Sequence, residues 1–285
     1  MKGIILAAGK GTRLYPMTLP ICKPLLPVYD KPLIYYSLSV LMQSGISDVM
    51  IIIPPGEEHT FSALLGDGSH LGMHISYAVQ KVARGIADAM LIGKDFIGND
   101  SLCLVLGDNI FYHPALGETL RSAREHPAGA RVFGYYVEDP RPFGVVEFDE
   151  TGRAISIEEK PRHPKSNYII PGIYFYDNQA VSIAEHLTPS ARGELEITDV
   201  NLAYLKQNDL NVFPLEHDLA WMDAGTADSL LDAAFQIKKI QDQTGRYVGC
   251  IEELAYQAGW ITQEQVHALG EDLKKTLYGQ YLLCL

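Results

Sequence analysis

Short apolar runs alternate with longer stretches of helical periodicity through the first half of the chain. Gly3–Ala7, Asp48–Ile53, His74–Val79, Leu102–Leu106 and Ala130–Val137 read as strands. Between them, Pro32–Gln43, Glu57–Leu65, Ile86–Ile97 and Ala115–Glu125 repeat apolar residues at helical spacing, and Gly45 stands where the first of these helices needs its C-terminal cap. Such alternation predicts an α/β fold with a Rossmann-like, mostly parallel mixed sheet and helices on both faces. Ligands in such sheets bind beyond the carboxyl ends of the strands.

The pattern changes near Phe143. Val145–Phe148, Ala154–Glu158 and Tyr168–Tyr176 crowd together as strands, with a hairpin-type turn at Glu150-Thr-Gly152. This predicts a β-rich insertion that covers the ligand pocket. Helices return at Ala180–His186 and Ile197–Lys206, a short strand at Asn211–Pro214, and a long helix after Thr226 to about Gln243. The tail, 251–285, carries two amphipathic helical patterns: Leu254, Ala258 and Ile261 suggest one buried face, and Val266, Leu269, Leu273 and Leu277 another.

Composition narrows the partners. The 285 residues carry a net charge of −12 and no basic tract, which argues against nucleic acid. No stretch approaches membrane-spanning length and no signal peptide is evident, so a cytoplasmic protein is expected. Cys22, Cys103, Cys250 and Cys284 lack metal-type spacing, and Cys22 reads as a small buried residue rather than a reactive thiol.

An acidic protein can still hold an anionic ligand where its few cations converge. The segment Leu6-Ala-Ala-Gly-Lys-Gly-Thr-Arg-Leu14 follows the first strand, and Lys23-Pro-Leu-Leu-Pro27 comes shortly after. A Gly-rich turn offers backbone N–H groups, while Thr12, Arg13 and Lys23 add polar and cationic donors suited to phosphates. A dinucleotide fingerprint would need Gly where Leu14 stands, and a P-loop would need Gly-Lys-Ser/Thr at its end. Asp108 ends the strand Leu102–Leu106, and Asp223 sits in Trp-Met-Asp-Ala-Gly-Thr; both are candidate Mg²⁺ ligands, although Asp223 also reads as a helix cap. In Glu158-Glu-Lys-Pro161, Lys160 could hold a phosphate and Glu159 sugar hydroxyls, or the pair could be a solvated charge cluster. Gln80 ends the third strand, and its amide could read a base edge. Tyr174 reads first as core. Arg192 to Asp199 reads as a cap or as part of a sugar pocket.

In order along the chain stand Leu-Ala-Ala-Gly-Lys-Gly-Thr-Arg-Leu, Lys-Pro-Leu-Leu-Pro-Val-Tyr-Asp-Lys-Pro, Leu-Gly-Asp-Asn, Phe-Gly-Val-Val-Glu-Phe-Asp, Glu-Glu-Lys-Pro, Arg-Gly-Glu-Leu-Glu-Ile-Thr-Asp and Trp-Met-Asp-Ala-Gly-Thr. With this set, which runs into the tail, the chain resembles the sugar-1-phosphate nucleotidylyltransferases, and among them the glucose-1-phosphate thymidylyltransferases of bacterial surface-sugar pathways. The resemblance implies transfer of a nucleotidyl group from dTTP to glucose 1-phosphate, with Mg²⁺. It implies that Leu6, Gly9, Gly11, Thr12, Arg13, Lys23, Gln80, Gly85 and Asp108 bind the nucleotide, with Gln80 and Gly85 at the base. Asn109, Gly144, Glu159, Lys160, Ile170 and Tyr174 would line the sugar side, Asp108 and Asp223 would hold the metal, and Arg13, Lys23 and Lys160 would be catalytic. A homotetramer, and inhibition by a pathway end product at a separate site, are further implications. The implied division is a nucleotidyltransferase domain over 1–245, with a nucleotide half to about 140 and a sugar half from about 141, and a helical extension over 246–285. Departures from the family pattern at Ala8, Lys10, Pro24, 81–84 and Asp88 surround the nucleotide half and bear on the choice of base. Two alternatives remain: a UTP-dependent uridylyltransferase and a non-catalytic nucleotide-sugar-binding regulator.

Overall fold

In the computed structural model, which describes residues 1–126, 128–216 and 218–285, the first strand sets the layering. Lys2–Leu6 sends Ile5 into a core on one face of the sheet and Ile4 into a core on the other, as alternation along a strand requires. Asp48–Ile53 divides likewise, with Val49, Ile51 and Ile53 on one side and Ile52 on the other, and Leu102–Leu106 splits Cys103 and Val105 from Leu102 and Leu104.

These strands and His74–Val79 pair in parallel, in the order His74–Val79, Asp48–Ile53, Lys2–Leu6, Leu102–Leu106. Ile173–Tyr176 continues the sheet antiparallel to Leu102–Leu106 and joins it to Ala130–Tyr136. Beyond lie Tyr168–Ile169, Gly144–Phe148 and Ala154–Glu159, each antiparallel to its neighbour, while Leu210–Pro214 pairs in parallel with Ala130–Tyr136. The expected β-rich segment therefore extends the same sheet. Helices cover both faces. Leu33–Gln43, Leu116–Arg124 and the tail helices pack on the Ile5 side; Asp88–Ile92, Gln179–Glu185 and Ile197–Lys206 pack on the Ile4 side. Gly45 ends the first long helix at φ +71°, where Arg124 donates to the carbonyls of Ser44 and Gly45.

Three elements differ from the sequence expectation. Ile86–Ile97 is two short helices, Asp88–Ile92 and Lys94–Ile97, hinged at Gly93, where a Cβ would sit 2.7 Å from Ile4 Cδ1. Tyr168–Tyr176 breaks at Pro171-Gly172: Pro171 has no N–H for a ladder, and a Cβ on Gly172 would lie 2.7 Å from Leu106. The tail forms three helices, Ile251–Gln257, Gln263–Asp272 and Leu277–Leu282. Ile261 and Val266 are buried there, but Ala258 is exposed, and Leu273 and Leu277 fall at a helix end and a helix start with 41% and 75% exposure.

Lys31 ties this tail to the start of the chain. It is buried, paired with Asp30, and its ammonium lies 5.0 Å from the Tyr36 ring centre, 5.5 Å from that of Tyr247 and 5.6 Å from that of Tyr278. Burial pushes its pKa down and Asp30 opposes that shift. Gln241, on the long helix Ala227–Thr244, donates to the same Asp30 at 2.9 Å, and Tyr281 donates to the buried Glu253 at 2.8 Å.

Candidate active site

A cavity of about 190 Å³ opens beyond the carboxyl end of Leu102–Leu106. One wall is Arg13, Asp108 and Asn109; the other is Gly144, Glu159, Lys160, Ile170 and Tyr174, with Asp223 closing the base. Nine of the residues singled out in the sequence thus share one space. Leu6, Gly9, Gly11, Thr12, Lys23, Gln80 and Gly85 do not line it. They flank it on the side of the parallel strands.

The Gly-rich turn is shaped by Gly11, at φ +60° and ψ +31°, where a Cβ would meet Thr18 Cγ2 at 3.0 Å and Lys23 Cβ at 3.1 Å. A Cβ on Gly9 would meet no atom within 4 Å. Gly9, Thr12 and Arg13 are exposed, and the Leu6 carbonyl accepts from Gly107 N–H at 2.9 Å, fixing the turn against the Asp108 loop.

The ribbon Asn109–Tyr112 with Ala220–Asp223 pairs Asp223 with Asn109, which brings two carboxylates from distant sequence together. Thr226, not Asp223, caps the following helix by a box with Ser229, so Asp223 remains free for another use. Gly225 makes room: a Cβ there would lie 2.7 Å from Asp223 Oδ2 and 3.0 Å from an Arg13 nitrogen. Burial and then the like charge of Asp108 push the Asp223 pKa up, while Lys23 and Arg13 oppose this. Lys23, itself buried, places Nζ 2.7 Å from Asp108 Oδ2. Asn109 donates to Asp108 Oδ1 at 2.9 Å and accepts from the Trp221 indole N–H at 2.7 Å. Because the indole only donates, this sets the amide's orientation.

On the opposite wall, Glu159 accepts from the Thr198 hydroxyl through Oε2 at 2.5 Å and from Arg192 through Oε1 at 3.3 Å, and Lys160 Nζ lies 3.6 Å from the same Oε1. Lys160 adopts φ +45° and is half-exposed at the mouth. Tyr174 is both core and wall: it stacks on Tyr176 with centroids 6.1 Å apart, and burial pushes its pKa up. Thr198, from the Arg192–Asp199 stretch read as a cap or part of a sugar pocket, lines the cavity, as do Asn201, Phe143 and Trp221, which were not singled out as site residues. Thr198 and Asn201 carry the periodicity of a buried helix face, so pattern alone reads them as packing.

Gln80 ends His74–Val79, and Gly85 stands at φ +101° where a Cβ would lie 2.4 Å from the Leu195 carbonyl oxygen. Leu195 N–H donates to the Arg84 carbonyl at 2.6 Å and its own carbonyl accepts from Ala87 N–H at 3.2 Å. The loop after Gln80 is therefore seated on the segment that leads into Ile197–Lys206.

The Asp108–Asp223 pair offers oxygen donors only, and both the burial and the Asp108 charge that raise Asp223 are costs of its ionised form that a hard divalent cation would offset. Among the described residues no group of three or more His, Cys, Asp or Glu side chains forms a closed cage. A cation held here would complete its shell with water and phosphate oxygens.

A mixed α/β sheet with a Gly-rich turn, convergent cations and a carboxylate pair at its strand ends defines a nucleotidyltransferase, and the nucleotidyl transferase family model matches residues 2–240. The chain belongs to that family. It is 53% identical over 285 residues to the glucose-1-phosphate thymidylyltransferase of Neisseria meningitidis, covering 100% of this chain and 99% of that protein. The Mycobacterium tuberculosis protein of the same name is 53% identical over 283 residues, with coverage of 99% and 98%. Among solved structures, a Bacillus anthracis protein assigned as a glucose-1-phosphate thymidylyltransferase, in complex with sucrose, superposes with a TM-score of 0.77 at 43% identity, covering 83% of this chain and 94% of that one. A UDP-glucose pyrophosphorylase complexed with UDP-glucose gives a TM-score of 0.72 at 25% identity, with coverage of 84% and 98%.

Proposed function

We propose that this enzyme transfers the thymidylyl group of dTTP to α-D-glucose 1-phosphate, giving dTDP-glucose and pyrophosphate. The observation that carries this reading is the one cavity lined by Arg13, the Asp108–Asp223 carboxylate pair, and Glu159 with Lys160. Full-length identity to thymidylyltransferases supports dTTP and glucose 1-phosphate as the pair.

The sugar phosphate oxygen attacks the α-phosphorus in line, and the bond to the bridging oxygen of pyrophosphate breaks. No covalent enzyme intermediate is required, so the side chains act by positioning and by meeting charge. The Gly-rich turn, from Leu6 through Gly9 and Gly11 to Thr12, offers backbone N–H groups to the triphosphate, and Gln80 and Gly85 meet the base. Arg13, at the cavity wall beside Asp223, meets charge growing on the transferred phosphate. Lys23 neutralises Asp108 in the free site and faces the leaving pyrophosphate once the triphosphate is bound. Lys160 anchors the attacking phosphate at the mouth, while Glu159, fixed by Thr198, accepts from a sugar hydroxyl. Asn109, Gly144, Ile170 and Tyr174 shape the sugar side; a Cβ on Gly144 would crowd Thr198 Oγ1 at 3.2 Å. Asp108 and Asp223 would hold Mg²⁺, which would supply charge neutralisation and a template for the phosphates.

Residues to about 140 serve the nucleotide and 141–245 the sugar, with 246–285 as the extension. The enzyme works as a homotetramer in the cytoplasm. Leu231 and Phe235, one turn apart on the long helix and 71% and 65% exposed, support self-association. Among the described residues no helix is long and apolar enough to cross a membrane.

Pyrophosphate release with dTTP, UTP or dCTP, paired with glucose 1-phosphate or other sugar 1-phosphates and Mg²⁺, tests the reading. dTTP with glucose 1-phosphate gives the highest kcat/KM. Preference for UTP replaces the proposal with a uridylyltransferase, and binding without turnover replaces it with a regulator.

A further inference from the structure

The side-chain amide of Gln80 is committed on its donor side. Nε2 donates to Asp88 Oδ2 at 2.9 Å and lies 3.5 Å from the Gly85 carbonyl oxygen. Asp88 is 1% exposed, and its other oxygen accepts from Arg84 at 2.6 Å. A carboxylate paired with arginine only accepts, so the amide atom facing it must be the NH₂ group. The opposite atom, Gln80 Oε1, accepts nothing among the described residues. It is not sealed off: among the described residues the only side-chain polar atom both sealed off and unpartnered is His267 Nε2, and Gln80 keeps 7% exposure. An oriented acceptor thus stands free at the end of the strand, next to a loop held in place by Leu195.

We infer that Asp88 is a positioning residue for base selection: by holding the NH₂ of Gln80 it turns the amide oxygen toward the base, so that the site selects an imide N–H. The inference rests on the nucleotidyl-transfer reading above. Thymine and uracil present N3–H as a donor. Cytosine presents a lone pair on N3, which would face the lone pairs of Oε1 with no bond to gain. A site built to receive an N–H discriminates by orders of magnitude more than an apolar pocket does. The clamp therefore acts against cytosine and leaves the thymine–uracil choice to the methyl group.

The test is kcat/KM for dTTP and dCTP, with glucose 1-phosphate, in the wild type, Asp88→Ala and Asp88→Asn. The wild type favours dTTP by about 10³-fold or more. In Asp88→Ala the amide is free to turn, so dTTP loses efficiency chiefly through KM while dCTP holds or gains, narrowing the ratio about 10–100-fold. Asp88→Asn, nearly isosteric and safe for folding, narrows it less and in the same direction. A parallel fall for both nucleotides, or an unchanged ratio in both variants, overturns the inference while leaving the transferase reading intact. A wild type that turns over dCTP as well as dTTP overturns it too. A wild type inactive with every nucleotide overturns both.

Discussion

Replacing Gly11 by alanine separates the two glycines of the phosphate-binding turn. Gly11 sits at φ +60° and ψ +31°, a conformation that costs an L-residue about 1–2 kcal/mol. Its new Cβ would press on the buried Thr18 at 3.0 Å and Lys23 at 3.1 Å, and such crowding adds about 1 kcal/mol or more. Against this, the unfolded chain loses freedom, which returns about 0.4–1 kcal/mol. The net loss is about 2 kcal/mol. With about 2.1 cal/mol/K of unfolding entropy per residue over 285 residues, Tm falls by about 3 °C. Gly9→Ala meets no atom within 4 Å and has no positive φ, so its Tm stays within about 1 °C of wild type. Gly11→Asn keeps the crowding but tolerates the left-handed backbone, and falls between the two. Scanning calorimetry of the three variants at one protein concentration is the assay. Equal Tm for Gly11→Ala and wild type, or an equal drop for Gly9→Ala, would refute the argument from geometry. In activity, the displaced Lys23 lowers kcat/KM for dTTP in Gly11→Ala.

Asp108→Asn, nearly isosteric, keeps the circular dichroism of the wild type and loses about 10²-fold or more in kcat; a wild-type rate at limiting Mg²⁺ removes Asp108 from the metal site. Arg13→Ala lowers kcat by about 10³-fold while the Kd for glucose 1-phosphate changes little, and an effect confined to that Kd contradicts its place at the transferred phosphate. Asp223 binds its proton more tightly folded than unfolded, so its ionisation costs stability above its raised folded pKa, and that cost fades as pH falls toward the ordinary aspartate range. Asp223→Asn is therefore the more stable protein at pH 7 without Mg²⁺, with an advantage that shrinks in acid, and it is the less active one; melting curves at several pH values read the sign.

The parallel half of the sheet was legible because its strands are apolar runs bounded by glycine and charge. Asp48–Ile53, His74–Val79 and Leu102–Leu106 match their expected bounds. Less legible were features set by distant contacts. Gly93 interrupts a helical pattern at φ −85° and ψ 6°, where a Cβ would lie 2.7 Å from Ile4 Cδ1, and Leu277 follows an apolar period yet begins a helix at the surface. In the site, Arg13 and Asp108 stood out as charges in a turn and at a strand end, whereas Glu159 and Lys160 read by pattern as a solvated charge cluster. Thr198 was legible only as part of the Arg192–Asp199 stretch, because its hydroxyl gains its own meaning once Glu159 is 2.5 Å away. Asp223 could be a cap or a ligand until Thr226 is seen to be the cap.

The seat of the tail has a consequence for how the chain reaches this shape during synthesis. Ile5, Ile34 and Leu38 bury against a cluster that includes Ile251, Ala255, Val266 and Leu282, and the Lys31 ammonium waits for Tyr247 and Tyr278 to enclose it. At about 5–20 residues per second, the first strand and helix leave the ribosome on the order of ten seconds or more before those partners exist. Over that interval a nascent chain carries an open apolar face and a half-built cage around one lysine. A message truncated just before residue 247 yields a polypeptide that holds all of the assigned catalytic groups and has no lid for its first core, a substrate for chaperones and proteases rather than a smaller enzyme.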